Sequence, residues 1–262
     1  MSAYLDDLPA LDCHAHVNPT VTAPQIATLG GAHIFAMTRT LAESRVALRR
    51  SDSTISWGIG AHPGRADALA DWNPADFERQ LQDGYLVGEV GLDRRGPAEL
   101  QTRVFRAVLE RTSQSAALVS VHSVGRHREV LDLLDEIRQK GVILHWFTGS
   151  PALARRAVQL GCFFSINAAM TDEQIRAIPT DRILPETDFP SSKARTGATK
   201  PGDVARLEQR IGAICRVGND RVRAAWYRNL GNLAEQAMVV DRLPTRVREA
   251  ISAGRERCGS TN

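Results

Sequence analysis

The sequence predicts an α/β chain folded as a single (β/α)8 TIM barrel, and three observations carry that expectation. Eight short apolar runs, each closed by a polar residue or a Gly/Pro signal, recur every 20–30 residues or so. Helical patterns separate them, as parallel βαβ units with right-handed crossovers require. No GxGxxG or P-loop glycine pattern occurs, so an open doubly wound sheet built around a nucleotide is disfavoured. Eight such units in 262 residues fit a closed barrel.

In chain order the predicted strands are Ala10–His16, His33–Thr38, Ser56–His62, Tyr85–Asp93, Ala117–His122, Val142–Thr148, Cys162–Asn167 and Ile183–Asp188. Pro97 opens a helical pattern through Leu100, Val104, Val108 and Leu109. A second carries Val130, Leu131, Leu134 and Ile137, with Gly141 as its left-handed stop; a third runs from Pro151 to Leu160 and stops at Gly161. Val222, Ala225, Trp226, Asn229, Leu233 and Ala237 form the stripe of a covering helix. The barrel domain is drawn over residues 1–240. A polar C-terminal helix and tail follow over 241–262, expected to be loose from Gly254 onward.

Composition is that of an ordinary globular protein, 43% hydrophobic and 24% charged, with no run long enough to span a membrane. Asp6 and Asp7 stand where an export signal would carry basic residues, which predicts a cytoplasmic location. The cysteines Cys13, Cys162, Cys215 and Cys258 lack CxxC spacing and read as reduced thiols. Net charge is +3, carried almost wholly by arginine. Residues 191–228 hold nine basic residues (Lys193, Arg195, Lys200, Arg206, Arg210, Arg216, Arg221, Arg223 and Arg228) against three acidic ones, enough to attract a polyanion if they share a face.

Chemistry in such a barrel sits at the carboxyl ends of the strands. His14 and His16 end strand 1, with one residue between them and so on one face. Cys13, one residue before His14, should point away. His62 ends strand 3, Glu89 and Asp93 strand 4, His122 strand 5, His145 strand 6 and Asp188 strand 8. His33 and His127 fall elsewhere. Imidazoles and carboxylates converging at one mouth make a site for divalent metal, and six ligands suit two ions better than one. His14, His16 and Asp188 would hold the first ion, His122 and His145 the second, with Glu89 bridging. Asp188 and Glu89 would be the catalytic carboxylates around a metal-activated water. Imidazole-rich sites take Zn²⁺, Mn²⁺ or Fe²⁺, and the two carboxylates also admit Mg²⁺.

The surrounding residues have competing readings. His62 could cap its strand or contact substrate, and the mouth position favours contact. Asp93 could bind a loop amide or orient a ligand histidine. Glu186, sharing Asp188's face, reads as buried support. Arg94 and Arg95 could bind phosphate or lie in a solvated loop. Trp146 and Phe147 read as core, with base stacking the alternative.

The motifs Asp-Cys-His-Ala-His, Gly-Ala-His-Pro, Gly-Glu-Val-Gly-Leu-Asp, Ser-Val-His-Ser, Leu-His-Trp-Phe-Thr-Gly-Ser and Glu-Thr-Asp-Phe-Pro, in this order over residues 12–190, resemble the TatD-like deoxyribonucleases. That resemblance implies a barrel hydrolase of the amidohydrolase-type superfamily. Its metal ligands match His14, His16, Glu89, His122, His145 and Asp188, and its reaction is phosphodiester hydrolysis of DNA, with 3′-5′ exonuclease action on single strands or duplex ends. A closing asparagine of the family matches Asn229. The family's arginine after the strand 5 histidine is replaced by Val124, leaving Arg126, His127 or Arg128 to supply a phosphate contact. Residues Leu144–Met170 are most similar to TatD-like members of Qat anti-phage defence systems, which implies protein partners from a defence operon. Two other functions fit the same ligands: hydrolysis of a small ester, lactone or amide, and a non-catalytic, metal-stabilised subunit of a defence complex.

Overall fold

The computed structural model describes residues 8–259. Asp6 and Asp7, on which the export reading rests, and residues 260–262 of the tail lie outside them. The strands are β1 (Leu11–Ala15), β2 (His33–Ala36), β3 (Ile55–Ile59), β4 (Leu86–Gly91), β5 (Leu118–His122), β6 (Val142–His145), β7 (Phe163–Ile166) and β8 (Ile183–Pro185). They pair in parallel in sequence order. The ring closes past the end of β8: the Asp188 N–H donates to the His14 carbonyl at 2.9 Å, and the His16 N–H to the Phe189 carbonyl at 2.7 Å. The (β/α)8 expectation is borne out.

All eight strands are buried along their whole length. Outward-facing apolar residues pack against the helices; each large one that leaves water contributes ~1.5–3 kcal/mol. Cys13 is among them, fully buried in the core as its alternation with His14 predicts. Most strands are shorter than the predicted runs at the carboxyl end, so His16, His62, Asp93 and Asp188 lie just past the ladder. There the chain leaves the sheet to begin its crossover.

The helix after Pro97 runs Ala98–Thr112, and Pro151–Gln159 ends at Gly161 as expected, with φ +81°. The helix His127–Ile137 does not run on to Gly141. It stops at Arg138, which takes the left-handed conformation itself, and Gly141 begins the turn into β6. The C-terminal expectation needs a larger correction. A helix spans Thr245–Gly259 and packs on Asn219–Gln236, so residues 254–259 are not loose. A Cβ on Gly254 would lie 2.8 Å from the Tyr227 Cβ and 2.9 Å from the Ala224 carbonyl oxygen. Gly254 is the close crossing of two helices. Among the described residues no helix is long and apolar enough to cross a membrane.

Candidate metal centre

Glu89 sits at the centre of the barrel mouth, 2% exposed, ringed by five imidazoles. Its Oε1 lies 2.6 Å from His122 Nδ1 and 3.9 Å from His145 Nε2. Its Oε2 lies 3.2 Å from His62 Nε2, 3.3 Å from His16 Nε2 and 3.7 Å from His14 Nε2. Asp188 Oδ1 is 3.6 Å from His16 Nε2. The His14 and His145 rings stack, centroids 3.6 Å apart. All six predicted ligands therefore converge.

The backbone explains the convergence. A Cβ on Gly91 (φ +136°) would fall 2.1 Å from the His122 carbonyl oxygen, so only glycine lets β4 lie this close to β5. Asp188 holds φ +47° while its N–H bonds to the His14 carbonyl, which turns its carboxylate into the mouth. Below, Asp12 is fully buried and accepts hydrogen bonds from the Thr187 hydroxyl and N–H (2.6 and 3.0 Å) and the Gly202 N–H (2.8 Å). It clamps the end of β1 to the chain after β8. Burial pushes the Asp12 carboxyl up to about 6 despite those bonds.

Hydrogen-bond partners fix which ring nitrogen each histidine offers. His16 Nδ1 donates to the Met37 carbonyl at 3.1 Å, so its Nε2 faces Glu89 as a lone pair. His145 Nδ1 donates to Glu186 Oε2 at 2.8 Å, leaving Nε2 toward the centre. His14 Nδ1 pairs with the Ser120 hydroxyl at 2.9 Å, and His14 Nε2 is buried with no hydrogen-bond partner. A buried orphan nitrogen normally costs stability. At this position it fits a metal ligand. His122 uses Nε2 on Asp93 Oδ2 at 2.8 Å, leaving Nδ1 for Glu89. His62 differs: its Nδ1 accepts from the Gly64 N–H at 2.9 Å, so the neutral ring carries its proton on Nε2. It is a donor toward the centre.

Electrostatics follow. Burial, reinforced by the charge of His145, lowers His14 to about 3, so it stays neutral. For His145 burial is outweighed by Glu186, whose charge and hydrogen bond raise it to about 10. Burial opposes ionisation of Glu89, but the charge of His62 and the bond to His122 hold it well below the usual carboxylate range. Burial lifts Asp188 to about 6.

Groups of donor atoms close enough to share an ion are His14/His145/Asp188, His14/His16/Glu89 and His62/Glu89/His122. Two details differ from the expected partition. His145 falls in with His14 and Asp188, because β6 leans its ring onto His14 across the barrel axis. His62, expected as a substrate contact, lies with Glu89 and His122, but its protonated Nε2 offers them a hydrogen rather than a lone pair.

The mouth is a cavity of about 680 Å³. Arg94 and Arg95 both line it, but Arg95 is tied to Asp93, Nε to Oδ1 at 3.0 Å and Nη2 to Oδ2 at 2.9 Å. Arg126 does not line it; its Nε donates to Glu129 at 2.7 Å. His127 does, held between Ser123 Oγ (2.8 Å) and Thr148 Oγ1 (3.4 Å). Trp146 is half-buried at the rim, whereas Phe147 is core. Of the nine basic residues in 191–228, only Arg195 reaches the mouth. Others are spent elsewhere: Arg210 on Asp172 (Nε, 2.8 Å), Arg223 on Glu208 (Nη2, 2.8 Å), Lys200 on the Thr28 carbonyl (2.6 Å). Asn229 is structural, its amide donating to the Thr180 and Ile183 carbonyls at 2.8 and 2.9 Å. Sequence reasoning missed Ser120 and Asp12, although Ser120 shares His122's face two residues away. Nothing in the sequence pattern singled out Arg195.

A closed parallel barrel with histidines and carboxylates gathered at the carboxyl ends of its strands is the architecture of the metal-dependent barrel hydrolases. Within that class the chain belongs to the TatD related DNase family, whose model matches residues 11–234. It is similar to an uncharacterized metal-dependent hydrolase TatD of Mycobacterium tuberculosis, 29% identical over 160 residues, 53% of this chain and 60% of the relative. It is also similar to proteins named 3′-5′ ssDNA/RNA exonuclease TatD. The one from Cronobacter sakazakii is 34% identical over 158 residues (54% of this chain, 60% of the relative). The one from Klebsiella pneumoniae is 32% identical over 186 residues (63% and 69%). The matched part thus spans about 60% of the length of the first two relatives. Among solved structures, YJJV, a TatD homologue from Escherichia coli K12, superposes with a TM-score of 0.74 at 23% identity, covering 85% of this chain and 96% of that one. That likeness concerns the fold.

Proposed function

We propose that the chain is a metal-dependent phosphodiesterase that cleaves DNA at single-stranded or exposed ends, as a 3′-5′ exonuclease, through two divalent cations. The observation that carries this is Glu89, buried among five imidazoles, beside a His14 Nε2 that has no partner of its own. His14, His16, Glu89, His122, His145 and Asp188 would hold the ions, which when bound supply Lewis acidity to a water and to the phosphoryl oxygens.

The chain's own residues do the rest. Ser120, Met37, Asp93 and Glu186 lock the rings of His14, His16, His122 and His145, so little reorganisation accompanies substrate arrival. Asp188, which lines the mouth and is lifted to about 6, accepts the attacking water's proton at a carboxylate oxygen. His62 Nε2–H and the guanidinium of Arg94 donate toward the phosphate. The names of the Cronobacter and Klebsiella relatives support nucleic acid as substrate. Protein partners from a defence operon remain part of this reading through the Leu144–Met170 motifs, and co-purification from the native operon tests them.

The experiment is cleavage of end-labelled single-stranded DNA by purified protein with Mg²⁺, Mn²⁺ or Zn²⁺. Shortening from the 3′ end that disappears in Glu89→Ala and Asp188→Asn supports the proposal. Equal activity in both variants overturns it.

A further inference from the structure

Trp146 directly follows His145 and holds φ +40°, a left-handed conformation that a bulky residue rarely takes. Its backbone N–H donates to the Ser165 carbonyl at 3.1 Å, and its side chain is half-buried at the rim. The Arg195 guanidinium carbon lies 4.3 Å from the Trp146 ring centroid. Arg195, seven residues after Asp188, belongs to the short helix Lys193–Thr196 and lines the same cavity as Asp188.

A stacked guanidinium keeps its N–H edge in the plane of the fork, free for an acceptor. Among the described residues no carboxylate or carbonyl takes that edge: Arg195 has backbone hydrogen bonds only. Arg95, Arg126, Arg210 and Arg223 all have acidic partners. Arg94 alone shares Arg195's condition at the mouth. Arg94 follows β4 and Arg195 follows β8, which face each other across an eight-stranded ring. The cluster of candidate metal ligands around Glu89 lies between them.

Resting on the phosphodiesterase reading, we propose that Arg195, held by Trp146, binds the phosphate next to the scissile one, across the mouth from Arg94. The substrate class that follows is a polynucleotide strand carrying phosphates beyond the cleaved bond, in preference to a mononucleotide or a small ester.

The test neutralises the phosphates one at a time. Binding of labelled single-stranded oligonucleotides is read by fluorescence anisotropy on metal-free protein, wild type and Arg195→Ala, so that a failure to cleave does not obscure it. Each oligonucleotide carries one uncharged methylphosphonate, stepped along the strand. Arg195→Ala weakens binding of the all-phosphate strand roughly ten-fold and lowers the salt slope by about one. One methylphosphonate position abolishes the difference between wild type and variant. Arg195→Lys recovers part of the affinity, since it restores charge without the stacked fork. Equal affinity of wild type and Arg195→Ala at low salt, or a loss that no methylphosphonate position removes, overturns the proposal. Absence of cleavage by loaded wild-type protein, with the anisotropy difference intact, overturns the phosphodiesterase reading and leaves the strand-binding role of Arg195 standing.

Discussion

Glu186 Oε2 lies 2.8 Å from Nδ1 of His145, and both groups are buried. Ser165 donates its hydroxyl to the same oxygen, and the Asn167 amide donates to Oε1 at 2.8 Å. Glu186 thus fixes the orientation of a ring whose other nitrogen faces the cluster. Glu186→Gln keeps the volume and removes the charge. Its expected effect is a 10–100-fold loss of metal affinity, measured by calorimetric titration of metal-free protein with Mn²⁺. Unchanged affinity would show that Glu186 serves only the fold.

Asp188 is expected to act on the water more than on substrate affinity. Asp188→Asn should lower kcat by on the order of 10²–10⁴-fold with KM nearly constant. Steady-state kinetics on a single-stranded oligonucleotide separate the two, and a change confined to KM would contradict the role.

Metal binding should stabilise the folded chain by mass action. Mn²⁺ at a hundred times its dissociation constant adds about 2.7 kcal/mol, which for a domain of this size raises Tm by about 5–10 °C. In His14→Ala most of that increment should vanish. Thermal scans with and without EDTA decide it.

Removing the Asp12 carboxyl strands the Thr187 and Gly202 N–H groups in the interior. Asp12→Ala is expected to cost about 3 kcal/mol, read from urea unfolding of metal-free protein. Because the same clamp positions Asp188, kcat should fall as well. A stable, fully active variant would refute the clamp.

His33 lies at the far end of the barrel, its Nδ1 2.8 Å from the Tyr227 hydroxyl. Burial, helped by the charge of Arg246, lowers it from an ordinary 6.5 to about 4. A folded state that disfavours the charged ring is most stable above pH 6.5 and loses stability as pH falls toward 4. The loss approaches about 3 kcal/mol. Unfolding of metal-free protein at pH 7 and pH 4.5 should show a smaller acid loss in His33→Gln than in wild type, and an identical loss would exclude His33.

Strand number, strand order and the converging ligands were legible in the sequence, because local chemistry writes them. Buried strands must be apolar runs, a barrel needs its polar residues at one end of each, and the spacing of His14 and His16 puts both on one face. The limits of that reading lie where distant segments meet. Whether Gly254 is a tail or a helix crossing depends on Tyr227 coming within van der Waals reach. Arg126 was as good a phosphate candidate as Arg94 until the fold gave it Glu129.

The sequence alone therefore determined the barrel and its donor set, since periodicity and residue type are properties of short segments. Tertiary structure alone decided which nitrogen each ring presents, that His145 stacks on His14 rather than beside His122, and that of the nine basic residues in 191–228 one, Arg195, reaches the mouth. Those are matters of a few ångströms between residues far apart in the chain. Side-chain direction across a closed ring is fixed only when every strand is in register.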